Sequence, residues 1–260
     1  MPRTTDAERH VRGARRPDTL FWVDASRIVG NRLSLDPDES RHLLRVFRAE
    51  PGTPFEATDG AGFRYRCRLV DDHQGEARAE IVERVEGTGE LPGSIHLLVG
   101  VPDSRAAEVV VEHAVPLGAS SILFAACRRS GRDELGATKL ERMERIAIAG
   151  VKQSLRSRLP VLGTAATLMS AIEAARRGPR FVADPSGGAD LDLSNMTAQA
   201  AITLAVGPPG GFDEGEDAAL RAADFQPISL GPSRLTTETA SIAILSMARN
   251  AIIHRRLRGI

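Results

Sequence analysis

Apolar and polar positions along the chain follow two rhythms. From residue 20 to about 86 they come in short runs. Residues 20–23 and 31–35 are strand-like, 55–58 leads into the turn Asp59-Gly60, and 63–70 and 77–85 alternate apolar with polar. Short alternating runs separated by glycine turns predict half-buried strands closing into a small β-barrel. One helix is expected among them, over 38–47, starting behind Asp36-Pro37 and carrying His42, Leu43 and Val46. Residues 87–93 are rich in Gly and Pro and read as a linker.

Beyond the linker the rhythm changes to alternating strands and helices. Strands are predicted over 94–101, 121–127, 180–183, 201–206 and 226–230. Helices are predicted over 105–117 (closing at Gly118), 138–156, 168–177, 213–223 and 237–257. Asp213 with Glu216 three positions on has the spacing of a capping box. Such alternation argues a mostly parallel sheet covered on both faces. The last helix is apolar nearly all round from 240 to 253, broken by Ser241, Ser246, Arg249 and Asn250. A helix of that kind must be buried, in its own core or against a second subunit.

Composition narrows the picture. The 260 residues are 42% hydrophobic, enough for a sizeable core, and basic and acidic residues balance at 34 each. Bulk charge therefore does not point to nucleic acid, but local charge does. Between Arg128 and Arg158 nine Lys/Arg face four acids, a net of +5. A basic patch of that kind can contact phosphates; a solvated helix face with i,i+4 pairs such as Glu141 and Arg145 accounts for it equally well. Residues 1–18 are polar, hold five arginines, and read as a disordered basic tail. The two cysteines, Cys67 and Cys127, form neither a metal motif nor a disulfide framework. No apolar run reaches membrane-spanning length, and no signal-peptide core is evident, so a cytoplasmic location is expected, with no membrane and no metal.

Candidate chemistry concentrates in two glycine-rich turns. Gly207-Pro208-Pro209-Gly210-Gly211-Phe212 follows the strand at 201–206, and 230–240, beginning Leu230-Gly231, follows the strand at 226–230. Two successive strand–loop–helix junctions put two loops at the carboxyl ends of strands, where open α/β sheets bind ligands. The first turn lacks the Gly-Lys-Ser/Thr of a phosphate loop and the glycine spacing of the dinucleotide fingerprint. Its glycines allow close backbone approach, and its prolines stiffen the entry. Such a loop can offer amides and carbonyls to a neutral heterocycle. Asp184, behind the strand at 180–183, could reach a ribose hydroxyl or simply make a turn.

These residues resemble a known family, the 16S ribosomal RNA (uridine-N3) methyltransferases of the RsmE type. Gly207–Phe212 is similar to the family's GPEGGF loop and 230–240 to its LGxRILRTETA segment. His42-Leu43-Leu44-Arg45-Val46-Phe47-Arg48 followed by Gly52 resembles HLxxVLR…G. Ala114, Leu117 and Gly118 fall in KATELG, and Arg129-Ser130 fits its RS pair. Lys139, Glu141, Arg142, Gln153-Ser154-Leu155-Arg156 and Pro160 fit KxER…QSxR…P.

The resemblance implies an α/β protein: a PUA-like RNA-binding β-barrel over 19–88 and, over 89–260, a C-terminal SPOUT α/β methyltransferase domain with a trefoil knot. It implies a homodimer acting on 16S ribosomal RNA or the small ribosomal subunit, with S-adenosylmethionine as methyl donor. Cofactor-binding residues are then Asp184, Gly207, Gly210, Gly211, Leu230, Gly231 and Leu235. RNA contacts fall to Arg45, Arg48, Arg129, Lys139, Arg142, Gln153 and Arg156, and catalysis to Arg234, Thr236 and Glu238. The chain departs from the family at charged positions. Pro209 replaces the Glu of GPEGG, Ser233 the Arg of RIL, Thr236 the Arg of LRTET, and His113 and Pro116 the Lys and Glu of KATELG. A Lys expected near 101–105 is absent, with Arg105 as a substitute. Threonine cannot replace a planar, permanently charged guanidinium. Two functions follow: an active, divergent methyltransferase, or a SPOUT-fold RNA-binding or ribosome-assembly protein with weakened catalysis.

Overall fold

The computed structural model describes residues 19–131, 135–175, 178–187 and 201–258. The basic tail read over 1–18 lies outside them. The chain separates into two compact units, one running to Gly89 and including Leu155–Arg158, the other holding Glu90–Ser154 and the chain from Leu159 on.

The first unit is a six-stranded sheet. Its strands are β1 (Leu20–Trp22), β2 (Ile28–Val29), β3 (Arg32–Ser34), β4 (Pro54–Thr58), β5 (Phe63–His73) and β6 (Glu76–Glu86), in the spatial order β1-β4-β5-β6-β3-β2. β1 runs parallel to β4, and the other pairs are antiparallel. The alternation dictates which face turns inward. Tyr65, Cys67 and Leu69 of β5 and Ala77, Ala79 and Ile81 of β6 are buried, and join Phe21, Leu33, Leu43 and Phe55 in one core. Burying each large side chain contributes roughly 1.5–3 kcal/mol. Helix α1 (Pro37–Arg41) starts where Asp36 accepts from the amides of Asp38 and Glu39, each at 2.8 Å, and continues as a wider turn over His42–Val46.

The second unit is an α/β layer structure. Its elements are β7 (Ser94–Gly100), α2 (Ser104–Ala114), β8 (Ala119–Ala125), α3 (Ala137–Ser154), β9 (Val161–Ala165), α4 (Leu168–Ala174), β10 (Arg180–Ala183), β11 (Ala201–Val206), α5 (Glu214–Ala222), β12 (Phe225–Ile228) and α6 (Thr237–Arg258). All six strands are parallel, in the order β12-β10-β11-β7-β8-β9. The unit's chain starts at the central β7, builds outward through β8 and β9, then fills the other side with β10, β11 and β12. The carboxyl ends of those last three strands are thereby neighbours. β7 and β11 are buried almost throughout, which is why they read as continuous apolar runs.

Several boundaries differ from the sequence reading. Helix α3 stops at Ser154, because Leu155 takes a positive φ of 56°. The following residues join the first unit: the Ser157 carbonyl accepts from the Gly62 amide at 2.9 Å and from the Thr58 hydroxyl at 3.2 Å. Strand β12 ends at Ile228 rather than at Leu230, which leaves Leu230 in the loop. Strand β9 was not expected. α6 buries Ala240, Ser241, Ile244, Leu245, Ala248 and Ile252 in its own unit, against α2, β7 and β11, so its own core accounts for that face.

The capping box is present. Asp213 accepts from the Glu216 amide at 2.8 Å, and Glu216 accepts from the Asp213 amide at 2.9 Å and from the Arg128 amide at 2.8 Å. Asp213→Ala is expected to cost about 1 kcal/mol, lowering the thermal midpoint by roughly 2–4 °C. Differential scanning calorimetry checks this.

Candidate functional site

A cavity of about 320 Å³ opens at the carboxyl ends of β10, β11 and β12. Its walls are Val182–Pro185 behind β10, Val206–Phe212 behind β11, and Leu230, Gly231 and Ser233–Thr237 behind β12, with Asp217 and Ala240 from two helices. Asp184, Gly207, Gly210, Gly211, Leu230, Gly231 and Leu235 all line it, as do Arg234 and Thr236. Glu238 does not. It sits in the first turn of α6, where a carboxylate complements the helix dipole. Arg105 is an exposed first-turn residue of α2 and does not line the cavity either.

The first loop is held from three sides. Its own turn closes with the Gly211 amide on the Pro208 carbonyl at 2.8 Å, Gly211 having a φ of +72°. Thr237, 4% exposed, donates its hydroxyl to the Gly207 carbonyl at 3.0 Å, tying the loop to the start of α6. Arg129 donates to the carbonyls of Phe212 at 3.0 Å and Gly210 at 3.3 Å. Phe212 is buried among Leu98, Cys127, Leu220 and Phe225 and anchors the loop's far end. The second loop bends at Gly231, with a φ of +110°.

The polar groups divide by what already engages them. One Asp184 oxygen accepts from the Ser186 amide and hydroxyl, each at 2.8 Å, so turn chemistry occupies it. Thr236 shares a hydrogen bond of 3.0 Å with the Thr239 hydroxyl at the entry to α6. Arg234 is exposed and, among the described residues, makes one long contact, 3.5 Å to the Pro209 carbonyl. Asp217 is half-buried. Burial pushes its carboxyl above the usual range; Arg221 opposes that and the Asp184 charge adds to it.

The residues expected to contact RNA are not equivalent. Arg45 and Arg48 are exposed on the first unit, and Gln153 is exposed near the end of α3. Arg142 grips Glu108 through two hydrogen-bonded contacts of 2.7 and 2.9 Å, and Lys139 donates to the Ser104 hydroxyl. Arg129 serves the cavity loop. Arg156 is 3% exposed and engaged inside the protein, so in this arrangement it presents no guanidinium to a phosphate. Burial pushes both cysteine thiols up to about 12, leaving them protonated and unreactive at neutral pH. Among the described residues no cluster of His, Cys, Asp or Glu could hold a metal, and no helix is long and apolar enough to cross a membrane.

Thr237 and Asp217 carry no signal of their own in the sequence. The first is hidden in a threonine run and the second in an acidic first helical turn, where both residue types are ordinary.

Known proteins share this arrangement. The sequence matches the RNA methyltransferase domain family over residues 89–249 and the RNA methyltransferase PUA domain family over 35–82. The ribosomal RNA small subunit methyltransferase E of Synechocystis sp. is 31% identical over 239 residues, spanning 89% of this chain and 77% of the relative. That of Aquifex aeolicus is 30% identical, spanning 89% and 99%. Among solved structures, the Neisseria gonorrhoeae ribosomal RNA small subunit methyltransferase E bound to S-adenosylmethionine superposes with a TM-score of 0.78 at 26% identity, over 90% of this chain and 97% of that one. With the parallel sheet, the N-terminal β unit and the loop cavity all in place, the chain belongs to the ribosomal RNA small subunit methyltransferase E family of RNA methyltransferases.

Proposed function

We propose that this protein transfers a methyl group from S-adenosylmethionine to N3 of a uridine in 16S ribosomal RNA. The observation that carries the reading is the convergence of all seven expected cofactor residues on one cavity. The cavity suits that cofactor. Its volume falls within the range of small-molecule sites, about 300–1,000 Å³. Val182, Val206, Leu230 and Leu235 supply apolar wall, and the glycine loops supply backbone amides and carbonyls. The cofactor supplies an electrophilic methyl on a sulfonium.

The chain's residues would do the rest. The loops behind β10, β11 and β12 position the reactants in line, and positioning alone is a large part of such catalysis. Arg234 is the cation aimed at the charge that spreads onto the uracil oxygens as the N3 proton leaves. Arg45 and Arg48 of a PUA-like unit over 19–88, with Gln153, would hold the RNA through contacts that set position rather than sequence. The SPOUT domain over 89–260, its trefoil knot, a homodimer, and work in the cytoplasm beside the small ribosomal subunit belong to the same reading.

A second reading has its own support. Pro209, Ser233 and Thr236 line the cavity where charged groups would be expected, which fits an RNA-binding protein with weakened catalysis. One experiment separates the two. The purified protein is incubated with labelled S-adenosylmethionine and small subunits lacking the modification, and the RNA is digested and analysed by mass spectrometry. N3-methyluridine is the expected product. Cofactor binding without transfer supports the second reading, and no cofactor binding removes the methyltransferase reading.

Arg129→Ala should loosen the first loop. With two charge-assisted hydrogen bonds to its carbonyls lost, cofactor affinity is expected to fall about five- to tenfold, a part of the roughly 1.5–3 kcal/mol that each hydrogen bond to a charged group contributes to holding the loop. Isothermal titration calorimetry measures it.

A further inference from the structure

Transfer of the methyl group changes the cofactor's charge, and the cavity wall is charged. S-adenosylmethionine carries a sulfonium, an ammonium and a carboxylate. Its demethylated product has lost the sulfonium charge and is neutral overall. Among the described residues lining the cavity, Asp184 and Asp217 are anionic and Arg234 is cationic. The wall therefore carries one negative charge in excess, opposite to the charged cofactor and indifferent to the neutral product.

The two carboxylates do not contribute alike. Asp184 is held by Ser186 in its own turn. Asp217 projects from the first turn of α5, and no hydrogen bond to its carboxylate is formed among the described residues. The capping box at that end uses Asp213 and Glu216, not Asp217. Its half-buried position makes the charge costly to keep; the nearby Arg221 and Arg129 cations offset part of that cost, and a cationic ligand in the cavity would offset more. The loop that bears a glutamate in the resembling family bears Pro209 here, so this wall has lost one carboxylate and holds another.

We infer that Asp217 is a specificity-determining residue that makes the cavity prefer the sulfonium cofactor over its neutral demethylated product, so that the charge removed by transfer weakens the product's hold on the site. The inference rests on the cofactor reading above. It concerns ground-state discrimination and assigns Asp217 no part in the chemical step.

Calorimetric titration of the protein with S-adenosylmethionine and with S-adenosylhomocysteine provides the test, on the native chain, Asp217→Asn and Asp217→Glu. The native chain should bind the charged compound more tightly. Asp217→Asn should weaken that compound roughly tenfold, the order expected for one charge pair at an intermediate dielectric, and leave the neutral one unchanged. Asp217→Glu should restore the preference, and it also reports the charge effect if the Asn variant folds poorly. Equal weakening of both compounds, or an unchanged ratio in both variants, would overturn the inference while leaving the cofactor reading intact. Failure of the native chain to bind either compound would remove the cofactor reading and this inference with it.

Discussion

Gly100→Ala should uncouple the fold from the cavity: cofactor affinity falls at least tenfold and the protein loses about 1–3 kcal/mol of stability, the usual cost of forcing an extra carbon into packed structure. Gly100 is the buried last residue of the central strand β7. A Cβ there would lie 2.4 Å from Cδ of Pro208, 2.5 Å from its nitrogen and 3.1 Å from the Gly207 carbonyl carbon. No rotamer change relieves this, because the obstacle is a proline ring and backbone. Either β7 or the entry to the first loop must move. The loop is fastened by Thr237 and Arg129, so a shift at Pro208 strains both fastenings and displaces the amides that line the cavity. Gly131→Ala is the control, since a Cβ there meets nothing within 4 Å and its φ is not positive. Thermal melts and calorimetric titration with S-adenosylmethionine read both effects. A Gly100→Ala protein that binds like the native chain would mean that the loop is pliable and that the fit of β7 beneath it does not shape the site.

Much of this architecture is legible in the sequence because local chemistry and tertiary demand agree there. Strand β11 lies in the sheet interior, so all its residues must be apolar or small, and the run 201–206 announces it. The start of α5 is written in Asp213 and Glu216, which satisfy backbone donors by themselves. Legibility fails where tertiary context decides. Strand β9 sits at the sheet's edge with Val161 exposed and Gly163 in its middle, so it lacks both an apolar run and strict alternation. The helix predicted through 156 ends early because the next residues pair with the first unit, a long-range contact that no periodicity encodes. The basic stretch mixes roles that its composition does not separate. Arg129 braces a loop, Arg142 holds Glu108, and Arg156 is buried, so three of its charges have structural employment. The cavity is legible through its glycines, which a sequence displays openly. Asp217 faces the same cavity but carries no spacing signal, since an acid in the first turn of a helix is what dipole complementarity alone would place there.

Arg234→Ala should lower the rate of methyl transfer by about 10²- to 10³-fold, the range for removing one preorganised donor from a developing anion, while changing cofactor affinity less than about threefold. The division follows from what holds the side chain. Thr237 is buried and bonded to Gly207, so its loss would damage the cavity. Arg234 is exposed, lines the cavity and, among the described residues, touches only the Pro209 carbonyl at 3.5 Å, too long and weak a contact to be a structural clasp. Its guanidinium therefore remains available for a reacting group. Uridine N3 becomes a nucleophile only as its proton departs, and negative charge then moves to the flanking carbonyl oxygens. A planar fork of donors matches that pair of atoms, whereas an ammonium is a point charge, so Arg234→Lys should recover only part of the rate. Single-turnover transfer to small ribosomal subunits, with cofactor binding measured separately, distinguishes a donor acting in the transition state from one that binds the ground state. If Arg234→Ala instead weakens the cofactor as much as it slows transfer, the residue is a clasp between the two loops, and the charge on uracil must be met by another group.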